Sequence, residues 1–310
     1  MEIYTAQQVR EKLTMPRCID AMKEALLRLE AGKSQMYLRS VAPLPNGAIL
    51  GMMPCWLDEQ VFGIKVISVY HQNLGTGFPS HQGQILLFDS LHGTPFAVVD
   101  AASVTEIRTG AVSAVATDLL ARKDAATLAL FGAGAQARSH LLAISLVRSL
   151  TKVQVYDPSP AYAQRFADEM GPICGIPIEV CDSGRAAAHG ADIICTLTPS
   201  HTPVLERGWI KPGAHINAVG ACAAADRELP SDLVAASRFY CDRIESVLAE
   251  AGDLLYPLKE GVLSQEHILG ELGGLLAGTV PGRRSDADIT VFEALGLAVE
   301  DVMAARIVAQ

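Results

Sequence analysis

Near the start of the chain, apolar residues recur at helical spacing. Val9, Leu13, Ile19, Met22, Ala25, Leu26 and Leu29 predict one helix over residues 6–31. The pattern then shortens into extended runs at 36–41, 48–53, 61–69, 84–88 and 96–99. Turn-forming residues separate them: Pro45-Asn46-Gly47, Leu57-Asp58-Glu59, the loop around Gly75-Thr76-Gly77, and His92-Gly93-Thr94-Pro95. Consecutive strands joined by short turns predict an antiparallel sheet. Ser103-Val104-Thr105-Glu106 reads as a capping box, opening a helix with Ile107, Ala111, Val112, Val115, Leu119 and Leu120 on one face. From there strands and helices alternate, with strands expected at 126–131, 152–156, 177–180, 192–196, 214–219 and 237–241. Six strands with helices between them predict an α/β fold with a doubly wound parallel sheet of Rossmann type. Residues 288–308 read as a closing helix beyond it. The expected domains are an N-terminal α+β antiparallel-sheet domain over 1–121, completed by 287–310, and the doubly wound domain over 122–286.

One junction in this alternation is more specific. The apolar run Thr127-Leu128-Ala129-Leu130-Phe131 leads into Gly132-Ala133-Gly134-Ala135-Gln136-Ala137, and a helical pattern follows through His140, Leu141, Leu142 and Ile144. Strand, glycine turn and helix together turn a GxGxxA string into a dinucleotide-binding signature. Gly132 permits the tight turn, Gly134 lets the backbone approach a pyrophosphate, and Ala137 lets the helix pack on its strand. The helix start at Ala135 and Gln136 offers N–H groups and a positive dipole end to the phosphates. An acidic residue is needed at the end of the next strand, and Val153-Gln154-Val155-Tyr156-Asp157 supplies it. A carboxylate there accepts from ribose hydroxyls and repels a 2′-phosphate, so NAD(H) is favoured; Arg165, able to receive a phosphate, leaves NADP(H) open. Thr196 and Thr198, and then Val219 and Gly220, end two later strands at the same carboxyl edge. They are placed to meet the ligand, or else are ordinary strand-end turns.

Composition narrows the field. A chain of 310 residues suggests about two domains. Half its residues are hydrophobic, yet no apolar run reaches the ~18 residues of a membrane span. The opening Met1-Glu2-Ile3-Tyr4-Thr5 lacks the basic-then-apolar pattern of a secretory leader. Seven cysteines, odd in number and without a CxxC pair, suit reduced thiols and a cytoplasmic protein. A net charge of −9 argues against a nucleic-acid surface. Eight histidines without HxxxH or Cys/His spacing give no reason to expect a metal site.

Three cations in the first half stand out. Lys65 interrupts the apolar run Val61-Phe62-Gly63-Ile64-Lys65-Val66-Ile67, where an ammonium costs desolvation unless it is paired, functional or on an exposed edge strand. Arg108 lies early in the helix after Ser103, against the helix dipole, a placement that an anion would relieve. A salt bridge to Glu106 or Asp100 would explain it equally well. Arg39 lies in the 36–41 segment and by itself is ordinary. Together the three suggest an anionic small molecule. His81, in Phe78-Pro79-Ser80-His81-Gln82-Gly83, enters a strand from a loop, and spacing fits an ordinary turn histidine as well as a site residue.

The combination resembles the ornithine cyclodeaminase/mu-crystallin family. The matching strings are Gly63-Ile64-Lys65, Glu106-Ile107-Arg108-Thr109-Gly110-Ala111, the glycine turn at 132–137, His215-Ile216-Asn217-Ala218-Val219-Gly220, Glu250-Ala251-Gly252-Asp253 and Ile289-Thr290-Val291-Phe292. They run in order over nearly the whole chain. The resemblance implies a homodimer built through the N-terminal sheets, a nicotinamide cofactor on the Rossmann domain, and a small imino or amino acid substrate in the cleft. It places Arg39, Lys65 and Arg108 at the substrate-carboxylate and catalytic positions and likens Pro79-Ser80-His81-Gln82 to the mu-crystallin branch. Cyclodeaminases of the family carry an aspartate where this chain has Cys222. The expected activity is therefore NAD(P)H-dependent reduction of a cyclic ketimine such as Δ1-pyrroline-2-carboxylate to L-proline. Arg108 and Arg39 would hold the carboxylate, Lys65 would serve the imine nitrogen, and His81 and Cys222 would line the substrate. Ornithine cyclodeamination, an alanine dehydrogenase-like oxidation and a mu-crystallin-type binding role are the alternatives.

Overall fold

The structure, a computed structural model, describes residues 1–73 and 76–310; Gly75 of the expected turn lies outside them. The chain divides into two compact units, Met1–Arg108 with Gly296–Gln310, and Thr109–Leu295.

The first unit contains β1 (Glu2–Tyr4), α1 (Ala6–Lys12), α2 (Met15–Glu30), β2 (Gln35–Met36), β3 (Ser40–Pro43), β4 (Ile49–Trp56), β5 (Val61–Val69), β6 (His81–Asp89), β7 (Pro95–Asp100) and the start of α3 (Ala101–Leu120). Among the described residues its sheet runs β1-β7-β6-β5-β4-β2, with β3 also on β4. It is a mixed sheet rather than a wholly antiparallel one, because β1 pairs in parallel with β7. Three residues are too few for any alternation to announce that strand. The single helix expected over 6–31 is two, because Thr14 is extended and Pro16 sits in the first turn of α2, where its missing N–H costs nothing. The run at 36–41 likewise divides into β2 and β3. α3 starts at Ala101, and Asp100 Oδ1 accepts from the Ser103 N–H at 2.8 Å. Ser103 thus lies inside the first turn rather than capping it.

The second unit contains β8 (Thr127–Phe131), α4 (Ala135–Ser145), β9 (Lys152–Tyr156), α5 (Pro160–Cys174), β10 (Ile178–Val180), α6 (Gly184–Ala188), β11 (Ile193–Thr196), β12 (His215–Ala218), α7 (Ser231–Ala235), β13 (Arg238–Cys241), α8 (Ile244–Glu250), α9 (Gly252–Lys259), β14 (Ile268–Glu271), α10 (Leu272–Ala277) and β15 (Thr290–Glu293). All its strands are parallel, in the order β10-β9-β8-β11-β12-β15-β13-β14. The strand order reverses direction between β8 and β11, so the carboxyl ends of these two frame the crevice where such sheets bind ligands.

The closing helix expected over 288–308 is corrected by this sheet. Thr290–Glu293 is a fully buried strand between β12 and β15's other neighbour, β13, and only Ala298–Ala309 is helical, here α11. A strand covered on both faces is apolar throughout, and periodicity cannot tell it from a buried helix. α11 belongs to the first unit, packs on α2 and crosses β4, β5 and β6. It is buried around most of its girth, Glu300 and Asp301 included. Among the described residues no helix is long and apolar enough to cross a membrane.

Candidate functional site

In the second unit the glycine turn forms at the switch point. Gly132 has φ +95°, and a Cβ on it would meet the Leu197 carbonyl oxygen at 2.9 Å, so only glycine fits between the ends of β8 and β11. Asp157, at the end of β9, is bound into the same turn. Its Oδ2 accepts from the Ala133 N–H at 3.0 Å and its Oδ1 from the Ser159 N–H at 2.8 Å. Gly134 is the N-cap of α4, offers no side-chain cap, and has open space where a Cβ would stand. Exposed Ala135, half-buried Gln136 and buried Ala137 follow it. The Gln136 side-chain oxygen is buried and accepts no hydrogen bond among the described residues. Open backbone donors at a helix start, an unsatisfied amide oxygen and a carboxylate one strand over fit a dinucleotide.

The neighbouring strand ends carry the other expected cofactor positions. Thr196 is fully buried at the end of β11, with Thr198 two residues on; Val219 and Gly220 follow β12. Glu228, to which the pattern gave no role, joins them by accepting from Thr198 and Gly220. Cys222 is exposed, and its Sγ donates to the Val219 carbonyl at 3.3 Å. Asp226, the nearest carboxylate after it in sequence, is engaged by His201, with Nδ1 2.5 Å from Oδ1.

In the first unit the structure brings Lys65 and Arg108 onto one carboxylate. Lys65 lies on central β5, 3 % exposed, which removes the edge-strand reading. Its cross-strand neighbours Met53 and Ile85 share its face, beneath α11. Lys65 Nζ donates to Asp301 Oδ2 at 2.8 Å and to Thr105 Oγ1 at 3.2 Å. Arg108 Nε donates to Asp301 Oδ1 at 3.0 Å, and Nη1 to Glu300 Oε2 at 2.9 Å. Burial pushes the Lys65 ammonium below its ordinary value and Arg108 adds to this, while Asp301 opposes it. For Asp301 burial works upward, but Lys65 and Arg108 outweigh it and hold the carboxyl low. Arg108 is thus no surface salt-bridge residue; Glu106 pairs with Arg10 and Asp100 caps α3. Arg39, half-buried between β2 and β3, donates to the Gly296 carbonyl at 3.3 Å and lies near enough to act on Lys65. His81 opens β6 opposite Val69, exposed, on the face that holds Lys65. Pattern reading missed Glu300 and Asp301; the signal available was an acidic pair inside an otherwise apolar helix.

A glycine turn at the switch point of a parallel sheet marks a dinucleotide-binding protein of α/β type. The chain belongs to the ornithine cyclodeaminase/mu-crystallin family, whose profile matches residues 1–310. It is 36 % identical over 310 residues to the ketimine reductase mu-crystallin of Mus musculus, covering 98 % of this chain and 95 % of that protein. Among solved structures it resembles the Thermococcus litoralis Δ1-pyrroline-2-carboxylate reductase in complex with NADH and L-proline, with a TM-score of 0.97 and 38 % identity over 99 % of this chain and 96 % of the other. An archaeal alanine dehydrogenase dimer with bound NAD matches with a TM-score of 0.94 and 30 % identity, over 99 % and 94 %. The chain is accordingly an NAD(P)-dependent oxidoreductase of this family.

Proposed function

We propose that this protein reduces cyclic α-imino acids with NAD(H), Δ1-pyrroline-2-carboxylate to L-proline being the best candidate. The observation that carries this is the Lys65–Asp301–Arg108 cluster: a buried proton-bearing amine and a buried guanidinium on one carboxylate. When bound, the reduced nicotinamide supplies the hydride to the imine carbon. Arg108, anchored through Nε and Nη1, presents a rigid cation to the substrate carboxylate, and Arg39 adds a second. That fixes the imine carbon in place, an orientation contribution. Lys65 holds its ammonium through two hydrogen bonds among the described residues, and its third N–H serves the imine nitrogen. Proton transfer from Lys65 to that nitrogen, with hydride to carbon, completes a balanced reduction to the amine. A lowered lysine pKa eases the transfer. The family resemblance assigns His81 and Cys222 to substrate as well.

Cyclodeamination asks for more: a base beside the substrate amine to take and return protons as ammonia leaves. A neutral thiol such as Cys222 is a poor proton acceptor and carries no charge to pair with an ammonium, and Asp226 is engaged by His201. The test is a panel of cyclic and linear imino acids with NADH, followed at the nicotinamide absorbance, beside L-ornithine with NAD⁺. Consumption of NADH with a cyclic imino acid is expected. Proline and ammonia from ornithine, without added reduced cofactor, would replace this reading with the cyclodeaminase.

Asp157 supports NAD(H) over NADP(H). Its carboxylate sits in the glycine turn, where it would face the ribose hydroxyls and repel a phosphate. NADH should give the higher kcat/KM; equal or better use of NADPH would show Asp157 does not set the choice.

A homodimer is part of the proposal. The face of the first sheet away from α11 carries half-buried Pro54, Phe62, Ile64, Leu86 and Val98 and exposed Trp56, with Phe62 stacked on Phe88 at 4.8 Å. A second copy would cover that apolar face. Light scattering should return twice the chain's 32.9 kDa, and a monomer mass at micromolar concentration would remove the dimer.

A further inference from the structure

Glu228 is a fully buried carboxylate of the second unit, on the segment between β12 and α7. A carboxylate so placed needs donors. Oε1 accepts from the Thr198 backbone N–H at 2.7 Å and from its hydroxyl at 2.6 Å, and Oε2 accepts from the Gly220 N–H at 2.8 Å. Burial pushes the carboxyl upward, and these donors pull the other way. Thr198 follows β11 and Gly220 follows β12, neighbouring strands that pair Thr196 with Ala218. Glu228 therefore staples the carboxyl ends of two adjacent strands. Thr198 also abuts the glycine turn, since a Cβ on Gly132 would meet its Cγ2 at 3.4 Å.

The staple is itself held from behind. Asp253 Oδ1 accepts from the backbone N–H groups of Glu228 and Leu229, both at 2.8 Å. Asp253 reaches them because the residue before it is glycine: a Cβ on Gly252 would stand 1.8 Å from the Asp226 carbonyl oxygen. The Glu250-Ala251-Gly252-Asp253 string thus has a physical task, which is to fix the backbone that carries Glu228.

A dinucleotide bound at such a switch point would have one half over β8 and β9 and the other over β11 and β12. Asp157 marks the first half as the adenosine side. The strand ends joined by Glu228 would then underlie the nicotinamide side. We propose that Glu228, held by Asp253, is a positioning residue for the nicotinamide half of the cofactor. This rests on the NAD(H) reading given above.

The test separates the two halves of the ligand. Binding of NADH and of ADP-ribose, which lacks the nicotinamide, is measured by calorimetry for the wild type, Glu228→Gln, Asp253→Asn and Asp253→Ala. In Glu228→Gln an amide NH₂ must face either the Gly220 or the Thr198 N–H, so one charged hydrogen bond becomes a clash of donors. NADH should bind about tenfold more weakly, the weight of one such bond, with ADP-ribose changed less than about twofold. Asp253→Asn keeps an acceptor for both N–H groups and should bind both ligands as the wild type does, whereas Asp253→Ala should repeat the Glu228→Gln pattern. Retained ADP-ribose binding reports that each variant is folded. Equal loss of both ligands in Glu228→Gln, or loss of neither, overturns the positioning role. A wild type that binds neither ligand overturns the cofactor reading, and the positioning role with it.

Discussion

Lys65→Met should lose turnover while keeping its nucleotide. Methionine matches the lysine stem and removes only the charged head, so the packing beneath α11 is largely retained. Asp301 keeps Arg108 as a partner at 3.0 Å and is not left as an isolated buried charge. What disappears is the proton donor, and general acid catalysis is worth roughly 10²–10⁴-fold. A fall in kcat of that order is expected, with the NADH dissociation constant within about twofold of wild type. The wild-type pH profile should agree. The ammonium is the active form, so the rate falls as pH rises through the Lys65 pKa, which burial holds below the ordinary 10.5. Lys65→Arg, charged throughout that range, should lack this alkaline limb. Unchanged turnover in a folded Lys65→Met protein would leave Lys65 with only a structural ion pair to make.

What was legible in the sequence and what was not divides by distance along the chain. The glycine turn was legible because its parts are consecutive: strand, Gly132, helix start, and then Asp157 one strand later. Lys65 was legible as an anomaly, a cation in an apolar strand. Its explanation was not legible, because Asp301 lies 236 residues on. Arg108 shows the same limit more sharply. Local spacing offered Glu106 and Asp100, yet each has another task, and the partners that bury Arg108 are 192 and 193 residues away. Those partners sit at the start of α11, inside the stretch taken for one helix over 288–308. Reading β15 as helix hid where α11 begins, and with it the fact that Glu300 and Asp301 occupy its first turn. Asp253 stands in the 250–253 string and Glu228 in none, because a buried carboxylate that binds backbone N–H groups leaves no periodic trace.

Arg108 itself gives the second large effect, and its geometry dictates which substitution can read it. Arg108→Ala removes the cation between Glu300 and Asp301, two carboxylates with no exposure, leaving Asp301 with Lys65 and Glu300 without its guanidinium. Breaking a buried pair from one side costs about 3–5 kcal/mol, so this variant should melt well below the wild type, and its inactivity alone would say little. Arg108→Lys keeps the positive charge among the same carboxylates. A single ammonium cannot span the Asp301 contact at 3.0 Å and the Glu300 contact at 2.9 Å while presenting a planar fork to a substrate carboxylate. Its melting temperature should fall by much less than that of Arg108→Ala, because the charge is kept, while the KM for the imino acid rises about tenfold or more, the weight of a lost charge-assisted contact. NADH affinity should be unchanged, since no cofactor position is touched. An Arg108→Lys protein with unaltered KM and a lowered melting temperature would make Arg108 a neutraliser of α11 and hand the carboxylate to Arg39.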